Sequence, residues 1–489
     1  MVLQELVSKS DTNLVVLNFN TEKEDAVYPT EESVKKAIAA ARTAEIEAYV
    51  DNVKDEPLMT ELPKKGSIVK EVKSDLFDYT ELTLSNGAIV VLKKTDLKKD
   101  QVLLRGYGYG GSGLYGNEDL PNLKMFNDVI EASGLGNFSH TELEKALAGK
   151  IASASMSLDA YREYINGSST PKDVETMLQL VYLMFTNINK DQKSYDNLMQ
   201  TTEVALRNRL LQPENVFSDS LSLTLGNHHP RVKPFDLDDL KKVNYDRILQ
   251  IAKERTANAA AYTFDIVGNY DEETIRPLIE QYIGSLPSQK KVQKSAHIDT
   301  DFKGEVINSF KHKAETPRSI AVMLWYSKDM PFTSENRIKA AMVGQILSME
   351  YLKKIREDAS AAYTCGASAN LSTDDFENNA TLYVYCPMKP EKADVALQIM
   401  RDEVQALTKG CDPDKLAKVK EYMIKNHADQ LKQNSYWMST IDMWRYKGVD
   451  FDKDYEKLVN AQTPETIAAF VKELIKSGNR AEVVMMPEE

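Results

Sequence analysis

The chain is poor in histidine and lacks the common catalytic motifs. It contains only six histidines, and none of them precedes His140. Neither the H-E-x-x-H nor the H-x-x-E-H zinc pattern occurs, and there is no G-x-S-x-G nucleophile motif and no phosphate-binding P-loop. By itself, therefore, the sequence presents no recognisable catalytic centre.

Cysteine is also scarce. The chain contains an odd number of cysteines, and they show no C-x-x-C spacing: Cys365, Cys386 and Cys411. This pattern indicates neither a disulfide framework nor a zinc knuckle, and it leaves the cellular compartment open.

The chain has no excess of basic residues and no long apolar run. Asp and Glu number 74 against 61 Lys and Arg, which gives a net charge of -13. Neutralising nucleic-acid phosphates requires a face rich in Lys and Arg, so we expect no nucleic-acid partner. No run approaches the roughly 18 apolar residues of a membrane helix, and the stretch MVLQELVSKSDTNLVV lacks the features of a signal peptide. We therefore expect no membrane span.

What is present is the composition of an ordinary globular protein, with 42% apolar and 28% charged residues. The stretch YTELTLSNGAIVVLKK predicts a hairpin around Asn86 and Gly87, and a strand in QVLLRGYGYGG and several amphipathic helices follow. The polar stretch SQKKVQKSAHIDTDFKG then marks a boundary. After it we predict strand SIAVMLWY, a helix from Glu335 to about Glu357, and strands AAYTCGAS and ATLYVYC.

This order of elements predicts an α+β fold class with two homologous domains, residues 66–290 and 291–489. Each is expected to be a mixed, mostly antiparallel sheet covered on one face by helices.

A helix end, a polar turn and a short apolar strand recur three times, at Gln4–Leu17, Ile248–Gly268 and Lys472–Met485. The first copy predicts a strand at Leu14–Phe19, which cannot be stable alone. Either a preceding domain supplies its sheet, or the strand docks on a later sheet. The sequence TEESVKKAIAAARTAEIEAYV, with Thr30 as N-cap, predicts a helical linker. Residues 1–65 are therefore interpreted as a remnant strand followed by a helical and extended linker.

The stretch Gly106–Gly111 satisfies G-x-G-x-x-G after a strand, so a dinucleotide site has to be considered. Such a site needs a helix that opens at the third glycine, and SGLYGNEDLP intervenes here. A glycine-rich strand end is the favoured interpretation.

The histidines offer two candidate metal sites. His140 could share a metal ion with Glu144, but the surrounding S-x-x-E pattern of Ser139 and Glu142 is typical of a helix start. His228 and His229 are adjacent and could both reach one zinc ion, yet no third ligand is indicated.

The stretch IREDASAAYTCGAS places Arg356 and Tyr363 seven positions apart, with small residues leading into the tyrosine. They are either ordinary surface residues, where Arg356 serves a helix C-terminus and Tyr363 starts a strand, or two donors aimed at one place. A guanidinium and a phenol hydroxyl suit peptide carbonyls and the oxyanion of a tetrahedral intermediate.

With these motifs the chain resembles the pitrilysin (insulinase) family of zinc peptidases, the inverted zincins. It is similar to the carboxyl-terminal half of a long, fused bacterial member. The segments that carry the resemblance are TLSNGAIVVLKK, FDIVGNYDEETIRPLIEQYIGSLP and IREDASAAYTCGAS.

The resemblance implies half of a four-domain clamshell that encloses a peptide-sized chamber. Residues 66–290 resemble a zinc domain without its ligands, because LPNLKMFNDVIEAS stands where H-x-x-E-H would fall. Glu203 would mark the old position of the distant glutamate. Zinc is therefore expected in a separate or fused N-terminal half, and no metal ligand is expected in this chain. The same resemblance favours a missing preceding domain for the strand at Leu14–Phe19, and it implies a periplasmic or exported protein.

By the same resemblance, Arg356 would bind substrate backbone carbonyls and Tyr363 would donate to the scissile carbonyl. The implied function is the non-zinc half of a zinc metalloendopeptidase acting on peptides or unfolded polypeptides, not catalytically competent alone. Two alternatives stay open: an inactive family member that binds peptides or acts as a scaffold subunit, and zinc hydrolysis through His228 and His229.

Overall fold

A computed structural model describes residues 14–20, 26–45, 54–289, 293–313 and 317–488 of the chain. The chain divides into two units, residues 1–53 and 54–489. Among the described helices, none combines the length and apolar character needed to cross a bilayer.

The first unit contains one described helix, α1 (Glu31–Thr43). The predicted N-cap is confirmed, because the Thr30 side chain accepts from the Ser33 backbone N–H and the Ser33 side chain caps Thr30 in return. Residues 14–20 have no regular secondary structure, and Val15, Leu17 and Phe19 are exposed. A strand exists only when paired, so the strand at Leu14–Phe19 stays a prediction. Most of the first repeat copy, residues 4–13, lies outside the described residues.

The second unit contains the strands and the remaining helices. The strands are β1 (Ile68–Ser74), β2 (Tyr79–Leu84), β3 (Ile89–Lys94), β4 (Val102–Tyr109), β5 (Gly134–Leu135), β6 (Ala152–Leu158), β7 (Arg162–Ser169), β8 (Ile188–Asn189), β9 (Thr263–Gly268), β10 (Glu305–His312), β11 (Ser319–Ser327), β12 (Gly366–Thr373), β13 (Asn378–Met388) and β14 (Asn479–Pro487). The α-helices are α2 (Leu120–Glu131), α3 (His140–Ala146), α4 (Val174–Thr186), α5 (Gln192–Arg209), α6 (Pro213–Leu225), α7 (Leu237–Leu240), α8 (Tyr245–Thr256), α9 (Glu272–Leu278), α10 (Ser334–Tyr351), α11 (Ala393–Leu407), α12 (Pro413–Gln430), α13 (Asn434–Lys447), α14 (Tyr455–Asn460) and α15 (Pro464–Lys476).

The two large sheets repeat one plan. The first has the order β1-β2-β3-β9-β4-β7-β6, and the second has the order β10-β14-β11-β13-β12. Every neighbouring pair is antiparallel except β3 with β9 and β10 with β14, which are parallel. From β3 onward the first sheet therefore matches the second strand for strand. The α+β class is confirmed, whereas the boundaries 66–290 and 291–489 stay a prediction.

Local sequence signals explain how the first sheet begins and closes. The predicted hairpin joins β2 to β3, with Gly87 at a φ of 88°. The Asn86 amide nitrogen donates to the Ile283 carbonyl (2.7 Å) and the Leu286 carbonyl (3.2 Å), so the turn is tied to the segment that follows α9. The closing pattern of helix, turn and strand appears as α8 to β9 and again as α15 to β14.

The glycine-rich stretch is a close-packed strand end, as favoured above. Only a single 3-10 turn, Ser112–Leu114, follows Gly111, and the α-helix α2 begins only at Leu120. A Cβ at Gly106 would lie 2.7 Å from the Phe264 ring, and a Cβ at Gly110 would lie 2.5 Å from the Arg255 guanidinium. Because these glycines have no side chain, neighbouring side chains can pack closely against the strand. They do not present the N-terminus of an α-helix to a phosphate.

Helices α2, α4 and α8 bury one face of the first sheet, and α13 covers part of the other. Asp265 of β9 lies on this second face, directly opposite Arg105 in register. It is fully buried, and among the described residues neither of its carboxylate oxygens has a hydrogen-bond partner. On α13, Arg445 lies 3.0 Å from the Glu81 carboxylate. Burial and the neighbouring Asp442 carboxylate raise the pKa of Asp265 to about 8.

This buried carboxyl group predicts a pH-dependent stability. A pKa of about 8 in the folded chain, against about 4 when unfolded, means that the folded state binds the extra proton. The contribution of Asp265 to the free energy of unfolding is therefore fully present below pH ~4 and is lost as the pH rises to ~8. We expect Asp265→Asn to raise Tm relative to the unmodified chain more at pH 8.5 than at pH 5.

Thermal unfolding at the two pH values measures this effect. The matched control is Asp128→Asn on α2, because Asp128 is exposed and its substitution should shift Tm equally at both pH values. An Asp265→Asn shift that is the same at pH 5 and pH 8.5 would contradict the assignment.

The Arg356 and Tyr363 candidate site

The candidate site lies at the end of helix α10, which packs on the second sheet. Helix α10 continues beyond Tyr351 as a π-helical segment, Leu352–Asp358, which carries Arg356. The preceding Ile355 is completely buried, so the segment is fixed by the core while Arg356 points away from it into solvent. A cation in the last turn of a helix is favoured by the exposed carbonyl groups there.

The small residues before Tyr363 form an anchor. Ser360 adopts a left-handed φ of 49°, which ends the helix and turns the chain back. The Ala361 backbone N–H donates to the Ile355 carbonyl (2.8 Å), and the Ala361 carbonyl accepts from the Lys389 N–H (2.8 Å). Ala361 and Ala362 are both buried in the core of the second sheet. Larger side chains do not fit there, which accounts for the run of small residues.

Tyr363 follows this anchor and is 78% exposed. The guanidinium carbon of Arg356 lies 4.9 Å from the centroid of the Tyr363 ring, within the range of a cation–π contact. Across the described chain, neither the guanidinium nor the phenol hydroxyl has a hydrogen-bond partner. The structure thus brings the two predicted side chains together and leaves their donors facing solvent.

One local expectation is wrong. The strand predicted over AAYTCGAS begins only at Gly366, so Tyr363 lies before the strand and not in it. The left-handed turn at Ser360 and a single bridge between Ala362 and Met388 hold residues 359–365 out of the regular ladder. The departure from the ladder is what lets the Tyr363 side chain project from the sheet.

The anchor predicts that one of two nearby substitutions lowers the stability of the chain and that the other leaves it unchanged. Ala361→Leu adds three carbon atoms to a fully buried position, so it should destabilise the chain by ~1–3 kcal/mol and lower Tm by several degrees. Tyr363→Phe removes only an exposed hydroxyl, so its Tm should match that of the unmodified chain. Thermal unfolding checks both, and an unchanged Tm for Ala361→Leu would contradict the anchor.

The histidine candidates do not assemble a metal site. His140 follows the capping box formed by Ser139 and Glu142 at the start of α3, as the favoured interpretation expects. Its Nε2 atom lies 3.9 Å from a Glu144 carboxylate oxygen. His229 uses Nδ1 to accept from the Arg231 N–H. Within the described ranges, no three His, Cys, Asp or Glu side chains lie close enough to hold one ion.

Core residues occupy the stretch LPNLKMFNDVIEAS, where the resemblance would place a zinc motif. Met125, Phe126 and Val129 of α2 are buried among apolar side chains. Asn122 is also buried, and its amide groups bind Asp119 and the Asn244 N–H. These residues offer no ligand set that fits zinc.

Glu203, the remaining candidate for a ligand position, lies on α5. Its carboxylate pairs with Arg207 one turn along the same exposed helix face. It has no histidine partner in the described structure. No catalytic step in this chain can therefore be assigned to a metal held by α2 and α5.

Comparison with known proteins finds relatives of this chain. Residues 242–423 match the family model described as the peptidase M16 inactive domain. A zinc protease PQQL-like protein of Arabidopsis thaliana is 25% identical over 411 residues, which cover 80% of this chain and 40% of the relative. The chain is homologous to zinc proteases of the M16 family. The resemblance to the pitrilysin family, which is the M16 family, is confirmed.

A further relative and a solved structure support the homology and the fold. The probable zinc protease PqqL of Escherichia coli strain K12 is 21% identical over 401 residues, covering 81% of this chain and 43% of the relative. The crystal structure of the periplasmic protease PqqL from Escherichia coli matches with a TM-score of 0.76 at 19% identity, covering 94% of this chain and 51% of that one. The chain spans about half the length of these M16 relatives.

Proposed function

We propose that this chain is the non-zinc half of an M16 zinc metalloendopeptidase and that it presents Arg356 and Tyr363 to a peptide substrate. The observation that carries the proposal is the contact between these two side chains, whose donors face solvent from an anchored turn. Such a pair can bind an extended peptide only if its donors have no internal partner, and this condition holds among the described residues.

Each side chain has a role that follows from its chemistry. The Arg356 guanidinium presents up to five N–H donors in a planar fork, which suits the carbonyl groups of an extended peptide backbone. Tyr363 presents a single O–H donor on a rigid ring. Placed at the scissile carbonyl, this hydroxyl strengthens its hydrogen bond as negative charge develops on the oxygen. The cation–π contact with Arg356 stabilises the orientation of the ring.

The proposed partner is an N-terminal half, fused or separate, that carries the zinc and its general base. Without it this chain is proposed to be inactive, because the family's motif position on α2 holds Met125 and Phe126 in the core. The proposed substrates are peptides or unfolded polypeptides, which can enter an enclosed chamber. The description of an Escherichia coli relative as periplasmic supports an exported location for this chain as well.

A second function has one observation in its favour. The family model that matches residues 242–423 is described as an inactive domain, which suits a peptide-binding or scaffold subunit without a catalytic role. In that case Arg356 and Tyr363 would contribute to peptide affinity alone.

Steady-state cleavage of a fluorogenic peptide by the two halves combined separates these functions. Tyr363→Phe should lower kcat by about 10²-fold with little change in KM, because its hydrogen bond is worth most in the transition state. Arg356→Ala should raise KM by about tenfold, because it removes charge-assisted bonds to the bound backbone.

Two matched controls show whether these effects belong to the site. Tyr422→Phe removes the hydroxyl of another exposed tyrosine, on α12, and Lys353→Ala removes an exposed cation from the same π-helical segment as Arg356. Both should leave kcat and KM unchanged. If Tyr363→Phe turns over peptide at the rate of the Tyr422→Phe control, the catalytic role is wrong and the scaffold function is favoured.

A further inference from the structure

Two of the three cysteines meet across neighbouring strands. In the antiparallel pairing of β12 with β13, the first pair is Gly366 with Tyr385. Cys365 directly precedes Gly366 and Cys386 directly follows Tyr385, so the two cysteines lie next to the end of the ladder. Cys365 packs against the buried cluster of side chains that contains Cys386. Both are present as free thiols in this structure.

Strand register gives this pair the spacing that a disulfide requires. Directly opposed residues of antiparallel strands have Cα atoms about 4.5–5.5 Å apart, and disulfides span about 4.4–6.8 Å between Cα atoms. Side chains at opposed positions also project to the same face of the sheet. We therefore expect the bond to close by rotation of the side chains and a small adjustment of the residues that lead into β12, with the paired strands unchanged.

The third cysteine is not a competing partner in the folded chain. Cys411 precedes α12, and the charged groups that face its thiol belong to Asp412, Glu465, Glu350 and Lys420. The strand pairing brings Cys365 and Cys386 near each other, whereas Cys411 lies at the start of a helix.

We propose that Cys365 and Cys386 are a site of disulfide formation, closed by exchange with a disulfide oxidant such as oxidised glutathione or a protein dithiol oxidase. Cys365 is partly exposed, whereas Cys386 is completely buried. Cys365 therefore attacks the oxidant first, forming a mixed disulfide and releasing one thiol. Cys386 then attacks the sulfur of Cys365 and releases the second thiol. Two S–H bonds are lost and one S–S bond forms, while the oxidant takes up both electrons and both protons.

The surroundings of Cys365 determine how fast this exchange proceeds. The hydrogen bond with Cys386, followed by burial, raises the pKa of the Cys365 thiol above its ordinary value. Because the thiolate is the reactive form, the exchange is slow at neutral pH and accelerates as the pH rises. The bond is thus favoured by an oxidising compartment or by an enzyme that catalyses exchange.

The proposed disulfide would lie next to the candidate site in the chain. Cys365 lies two residues after Tyr363, at the junction where the chain enters β12. A disulfide to β13 would fix that junction covalently and restrict residues 366–385 in the unfolded chain, which stabilises the fold. The inference stands apart from the proposed peptidase function, because its test needs no peptide cleavage.

Thiol counting on the full chain tests the site. After equilibration with oxidised glutathione at pH 8.5 and denaturation, we expect one free thiol per chain instead of three, and a mass lower by ~2 Da. A non-reduced proteolytic digest should contain one linked pair of peptides, with Cys365 in one and Cys386 in the other. The Cys411→Ser variant should form the same pair and retain no free thiol. Three free thiols, a stable glutathione adduct on Cys365 or a link to Cys411 would overturn the proposal.

Thermal unfolding supplies a second measurement. The oxidised chain should unfold at a Tm higher by ~5 °C than the reduced chain, because the bond restricts the unfolded state. Cys365→Ser replaces the partly exposed partner, and this variant should show no difference between oxidised and reduced buffers. Equal Tm values for the oxidised and reduced unmodified chain would contradict a disulfide that fits the native strands.

Discussion

The hydrogen bonds of Ala361 are the constraint on which the candidate site depends. One bond joins its N–H to the end of the helical segment at Ile355, and the other joins its carbonyl to Lys389 beyond β13. Together they connect the helix that carries Arg356 to the sheet on which Tyr363 is displayed. Because Ala361 and its neighbour Ala362 are buried, the turn cannot move without disrupting the packing of the core. An exposed tyrosine beside an exposed arginine is thereby given a fixed geometry, which binding to a peptide backbone requires.

The two sheets share one plan but serve different purposes. In the first, Met125 and Phe126 of α2 are buried in the packed core. Its second face meets α13, where Asp265 is buried without a hydrogen-bond partner among the described residues. In the second sheet, the same strand order supports the turn with Arg356 and Tyr363. Among the described residues, the candidate site lies on one copy of the repeated fold, as fold and function are separable.

Local signals in the sequence predict much of this architecture. The Asn86–Gly87 hairpin, the N-cap at Thr30 and the capping box at Ser139 depend on neighbouring residues alone, and all three are confirmed. The beginning of β12 was misplaced because Ser360 takes a left-handed conformation that only its tertiary contacts stabilise. The charge of Asp265 within an apolar strand signals an unusual position, but its burial against α13 depends on packing between distant segments. The opposition of Cys365 and Cys386 follows from strand register, which spacing along the chain does not reveal.

The central claim is that Arg356 and Tyr363 face a peptide bound between this chain and a zinc-bearing half. A structure of the two halves with a non-cleavable peptide, determined by crystallography or cryo-electron microscopy, tests it most directly. The account predicts the Tyr363 hydroxyl within about 3 Å of a backbone carbonyl oxygen of the peptide, with the Arg356 guanidinium bound to a neighbouring carbonyl. A peptide bound in the chamber with both side chains still directed into solvent would contradict it.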